Sequence, residues 1–168
     1  MKRITIEKIA VTTVLTIWWA CLPMVGYDAN DFRDANVLEH LGYMVSHANI
    51  WHLLGNLFVL WLFRNRLYLL PSLIIAFLYS FLPVVGIWPM GVTVGFSGVL
   101  FAIAGIKWGV YCRQFVLAGH WFEREALAEF SKKALPFAVL GVFIPHVNWC
   151  LHLYCLLAGF VYGRYNRN

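Results

Sequence analysis

Apolar residues fall in six blocks, separated by short stretches rich in polar residues, proline and glycine. The blocks run over about 9–25, 50–63, 67–87, 95–112, 134–144 and 149–163. A hydrocarbon core of about 30 Å takes roughly 20 helical residues to cross. The pattern therefore predicts six membrane-spanning helices. The fifth block is short and must be extended by its flanks, tilted or incomplete. Pro71 and Pro83 are expected to kink the third span. The longest polar stretch, 26–49, follows the first span. A turn is expected at 88–91, and a polar loop with room for an amphipathic helix at 113–133. The first block follows a basic segment, as in a signal peptide. It is long and lacks a small-x-small cleavage site, so it is read as a retained span.

Composition agrees. Of 168 residues, 61% are hydrophobic and 12% charged, against roughly 45–50% and about 25% in soluble domains. The chain is read as one integral membrane domain, 1–168. The net charge of +5 raises the question of nucleic acid, and its distribution answers it. Six spans put both termini on one side. That side carries twelve of the thirteen basic residues and a balance of +8; the other carries Arg33, four acids and a balance of −3. The positive-inside rule places both termini in the cytoplasm, in a multi-pass protein of the cell (inner) membrane. The basic charge is a topology signal, and nucleic-acid binding has no support. Cys21, Cys112, Cys150 and Cys155 form no CxxC pair and are read as free thiols.

Polar residues inside spans are costly and mark candidate sites. Ser97, His52 with Asn56, and His152 stand out. His52 and His152 each precede a basic residue, Arg64 and Arg164, by twelve positions, roughly 18 Å of helix. Asn56 lies roughly 12 Å before Arg64, and Ser97 roughly 15–24 Å before Lys107 and Arg113. All four sit at or outside the bilayer centre at similar depth, as a shared site requires. Ser97 lies in Gly95-Phe96-Ser97-Gly98, where glycine tolerates backbone angles that leave a hydroxyl uncovered. A serine needs a base to become a nucleophile, and histidine titrates in the useful range. His152 and His52 are both candidates. His52 and Asn56, four apart, share a helix face and form a pair of donors better suited to an oxyanion. The assignment is Ser97 as nucleophile, His152 as general base and acid, and His52 with Asn56 as oxyanion donors. No intramembrane carboxylate completes a triad.

Small residues let the helices meet. Gly98, Ala102, Gly105 and Gly109 line one face of the fourth span, and Cys155, Gly159 and Gly163 one face of the sixth. Gly105 is the expected partner of Gly159.

These residues resemble the rhomboid intramembrane serine proteases. Gly95-Phe96-Ser97-Gly98 and the span after it look like that family's active-site helix. His47-Ala-Asn-Ile-Trp-His52-Leu-Leu-Gly-Asn56 resembles its second span, and His152 followed by Gly159 and Gly163 its sixth. Each motif is common alone; the three in order are specific. The resemblance implies an all-α, polytopic bundle of six transmembrane helices of the minimal bacterial type. It implies Ser97 and His152 as a catalytic dyad, and an oxyanion hole of His52, Asn56 and the serine N–H. His47 matches a histidine that supports the loop after span one, and Phe101 an aromatic position beside the catalytic histidine. Where many members carry Trp-Arg in that loop, this chain has Phe32-Arg33, and Cys155 stands where a glycine is frequent. The implied substrates are transmembrane segments of other proteins in the lipid bilayer, cut near their outer end at a small residue, with no cofactor and no metal.

Two other readings predict different residues. A proteolytically silent, client-binding relative predicts a missing Ser or His, and both are present. A metal or proton transporter using His47, His52, His146 and His152 lacks intramembrane Asp or Glu companions and leaves the Gly-x-Ser-Gly idle. His40, His120 and His146 are read as solvated or interfacial.

Overall fold

The computed structural model describes residues 2–64, 66–84, 91–117 and 147–166. In order they form α1 (Lys2–Cys21), β1 (Tyr27–Asp28), α2 (Val37–Gly42), α3 (Ile50–Leu62), α4 (Leu69–Tyr79), β2 (Val92–Thr93), α5 (Ser97–Leu117) and α6 (Trp149–Tyr165). The span expected at 134–144 and most of the loop before it lie outside the described residues, as do His120 and His146.

Among the described elements α5 and α6 form the centre and make the most extensive contact, with α4 packed against both. Val99, Ala102, Ile103 and Ile106 of α5 are fully buried there, and so is Cys155 of α6. α3 touches α5 on one side and α1 on the other. α1 is peripheral, and Ile6, Ile9, Val14 and Ile17 stay exposed along it. Three polar ties hold it. Lys8 Nζ donates to the Trp61 carbonyl (3.0 Å), Trp61 Nε1 to Thr12 Oγ1 (3.2 Å) and Trp18 Nε1 to Ser46 Oγ (3.0 Å). The lysine thereby caps the last turn of α3, whose carbonyls lack helical partners.

Among the described helices, one, over Arg3–Cys21, is long and apolar enough by itself to cross a membrane. α3 and α4 are apolar but shorter. α5 carries Lys107 and Arg113 within its length. The apolar blocks and the helices differ most at α4. The block 67–87 holds a helix of only 11 residues. Pro71 stands in its first turn, where a missing N–H costs nothing. Pro83 lies beyond its end. The two prolines bound the helix and do not kink it.

The outer loop is ordered by local chemistry. Asn36 accepts from the N–H groups of Leu38 and Glu39, while the Glu39 carboxylate accepts from the Asn36 N–H, a reciprocal cap for α2. His40, read from sequence as solvated, is instead fully buried. It bonds Ser80 Oγ (2.8 Å) and the Phe32 carbonyl (3.1 Å), and stacks on Phe81. It ties the loop to the end of α4. All four cysteines are free.

Candidate active site

Ser97 is the first residue of α5, and the segment before it is held from three sides. β2 pairs antiparallel with β1, Tyr27 opposite Thr93 and Asp28 opposite Val92. The Gly95 N–H donates to the Tyr43 carbonyl (2.7 Å), and the Tyr43 hydroxyl to the Ala76 carbonyl (2.9 Å). Gly95 itself has φ +118°, a conformation open to glycine and strained for other residues. A Cβ there would run into the His52 ring and approach Asn56 Nδ2. The glycine both turns the chain into α5 and leaves room for the imidazole beside it.

α6 begins at a matching level. The Asn148 side-chain oxygen accepts from the Leu151 N–H (3.0 Å), which caps the helix. Its amide donates across to Thr93 Oγ1 (3.1 Å). One buried side chain therefore joins the head of α6 to the strand leading into Ser97. The result is a bond between Ser97 Oγ and His152 Nε2 of 2.7 Å. The His152 ring stacks on Phe101, centroids 4.5 Å apart and planes 15° from parallel, which fixes its orientation.

α3 supplies the third wall. Asn49 accepts from the His52 N–H (2.9 Å) and caps the helix. His52 and Asn56 face Gly95. The Asn56 amide nitrogen is buried with no hydrogen-bond partner among the described residues, a donor left free at the site. His47 stands edge-on to His52, centroids 5.2 Å apart. Its Nδ1 donates to the Val45 carbonyl (3.2 Å). Burial, and then the neighbouring His52, push the His47 pKa below its ordinary value. Its Nε2 is buried with no hydrogen-bond partner among the described residues.

Ser97, His52 and His152 all lie in the first turn of their helices. Three helix N-termini therefore converge, each bringing the partial positive charge of its helix dipole. That field favours negative charge developing at the serine and opposes it nowhere. No acidic residue lies on α5 or α6. No group of three His, Cys, Asp or Glu side chains among the described residues is arranged to hold a metal.

The small-residue faces meet, and Gly105 and Gly159 each pack beside the other's peptide group. A Cβ on Gly159 would strike the Ala102 carbonyl and press on the Ile106 N–H; one on Gly105 would strike the Leu156 carbonyl and the Phe160 N–H. Gly163 similarly abuts Ile106. Each glycine packs directly on the other helix's backbone. Gly98 sits at the head of this contact, where a Cβ would press on the Tyr43 hydroxyl.

Asn148, Thr93 and Tyr43 were not singled out from the sequence. Asn148 carried a readable sign, an Asn just before an apolar run. Its removal has a measurable consequence. Asn148→Ala loses the cap, about 1 kcal/mol, and also the bridge to Thr93. The expected outcome is a lower melting temperature, read by thermal unfolding.

The donors facing Gly95 give a second expectation. For the cleavage proposed below, His52→Ala and Asn56→Ala should each lower the rate about 10²–10³-fold, the usual cost of one oxyanion donor. The double variant should lose less than the product, because backbone N–H groups remain. A parental rate for Asn56→Ala would make that residue structural only.

Helices that gather their N-termini around a serine bonded to a histidine define a helical bundle with a paired hydroxyl and imidazole at one end. The Rhomboid domain family model matches residues 34–168. The chain belongs to the rhomboid family and is a membrane protein. No curated protein matches the chain, and no solved structure does.

Proposed function

We propose that the protein is an intramembrane serine endopeptidase, a single six-span domain that cuts transmembrane segments of other membrane proteins near their outer end. The observation that carries this is the 2.7 Å bond between Ser97 Oγ and His152 Nε2, within reach for proton transfer. Ser97 Oγ attacks the carbonyl carbon of the scissile peptide as its proton passes to His152 Nε2. The negative carbonyl oxygen is held by His52, Asn56 and the Ser97 N–H. The C–N bond then breaks, and His152 returns the proton to the leaving nitrogen. Water, giving its proton to His152, cleaves the acyl ester and frees Ser97. The helix heads stabilise the charge that develops in both steps. Gly95 and Gly98 shape the turn, His47 and Phe101 support the two histidines, and Gly159 and Gly163 hold α6 against α5.

The orientation follows from charge and from packing. Arg3 and Asn166 line one cavity, at the end of the bundle away from Ser97. With the basic excess on that side, both termini are cytoplasmic in the cell (inner) membrane, and the site opens toward the outer leaflet.

The test is co-reconstitution in liposomes with a panel of single-span substrates bearing a small residue near the outer end of the span. Cleavage should occur within the outer part of the span, located by fragment mass. Absence of cleavage across the panel contradicts the proposal.

A further inference from the structure

The end of the bundle far from Ser97 has its own cavity, of about 450 Å³. Val110 and Gly163, in its wall, follow Ser97 and His152 by thirteen and eleven residues, roughly 20 and 17 Å of helix. The cavity joins the start of α1, the start of α4 and the far halves of α5 and α6. Its wall combines two kinds of surface. Leu69, Leu70, Ile106 and Val110 are apolar; Arg3, Glu7 and Arg66 are charged, two cationic and one anionic. Arg3 is engaged by Glu7 (3.2 Å). Arg66 has no acidic partner among the described residues. Its guanidinium lies over the Tyr68 ring, 5.0 Å from the centroid, which orients it while leaving its donors free.

The adjoining backbone adds donors. Tyr68, the residue before α4, is held at φ 52° and gives the helix no side-chain cap. The N–H groups of Leu69 and Leu70 have no helical partner, and both residues line the cavity. Uncapped N–H groups, an unpaired guanidinium and an apolar wall within one cavity match an amphiphile with a phosphate head. We propose that this cavity binds the phosphate of an anionic phospholipid, with the acyl chains lying along the exposed apolar side of α4 at Leu70. The assignment rests on the cytoplasmic placement of the termini, since anionic headgroups enrich that face and basic pockets between helices capture them.

The experiment is native mass spectrometry of the full chain in detergent, titrated with phosphatidylglycerol or with phosphatidylcholine, beside thermal melting with each lipid and with inorganic phosphate. Phosphatidylglycerol should bind at least about fivefold tighter than phosphatidylcholine, the scale of one basic contact at a membrane surface. It alone should raise the melting temperature. Arg66→Gln and Arg3→Gln should each lose that preference. Arg64→Gln, two residues away but outside the cavity, and Arg33→Gln, in the outer loop, should keep it. Cleavage by Arg66→Gln in phosphatidylcholine should match the parent, so failure of this assignment is distinguishable from failure of the catalytic one. Equal binding of the two lipids overturns the proposal. So does an equal loss in Arg64→Gln and Arg66→Gln, which marks general surface charge. A melting shift from inorganic phosphate as large as that from phosphatidylglycerol overturns the lipid as occupant.

Discussion

Ser97→Ala and His152→Ala are each expected to lower cleavage by about 10⁴-fold or more while leaving the protein folded. Losing the nucleophile or its base removes the covalent route, and what remains is binding plus the oxyanion donors. Neither substitution disturbs the frame. Ser97 is held by its neighbours, through the Gly95 N–H and the β1–β2 pairing. α6 is capped by Asn148 and packed by Cys155 and Gly159. Melting temperatures should therefore stay within a few degrees of the parent. The two defects should not add, because the residues act as one unit. Cleavage of a transmembrane substrate by either variant, well above a blank, contradicts the roles assigned.

The second large effect is expected at Gly159. Its Cα lies against the Ala102 carbonyl and the Ile106 N–H, so any side chain must displace backbone. Gly159→Leu drives α6 away from α5 seven residues below His152. A shift of about 1 Å at the reacting atoms costs roughly 10²-fold in rate. Val161→Leu is the control, since Val161 is 54% exposed and points away from α5. The expected result is a loss of most activity for Gly159→Leu and a parental rate for Val161→Leu, in detergent and in liposomes, with thermal melting beside both. Equal rates would show that the glycine contact does not hold Ser97 and His152 together.

The helices were legible because their apolar blocks are continuous, and their ends were less so. α1 begins at Lys2, well before the apolar block, because its basic residues are good helix formers and Arg3 pairs with Glu7 one turn on. α4 ends at Tyr79 while the apolar pattern continues, ahead of Pro83, which a helix does not readily run through. α2 was readable in principle from Asn36 and Glu39, three apart. The two-residue strands were not readable, since each is held by a partner more than sixty positions away.

The level shared by Ser97, His52 and His152 could be counted along the chain, because helical rise is regular. What the count does not contain is the stagger between α5 and α6. A helical wheel gives the face each glycine occupies and says nothing of axial offset, so the backbone atoms that Gly105 and Gly159 pack on are read only from the folded helices. Nor does it contain the bond from Asn148 to Thr93, which depends on β2 and the head of α6 lying side by side. His40 shows the same limit. Its place in a polar loop reads as solvent, and only tertiary packing puts it beneath Phe81.

The central claim is that His152 activates Ser97. A serine-directed fluorophosphonate probe, incubated with the folded protein and followed by mass mapping of the labelled peptide, tests it most directly. The account predicts one adduct, on Ser97, absent in Ser97→Ala and lost in His152→Ala, while His52→Ala still reacts, more slowly. Labelling at another serine contradicts it. So does an adduct on Ser97 that survives His152→Ala and vanishes with His52→Ala, which would make His52 the base.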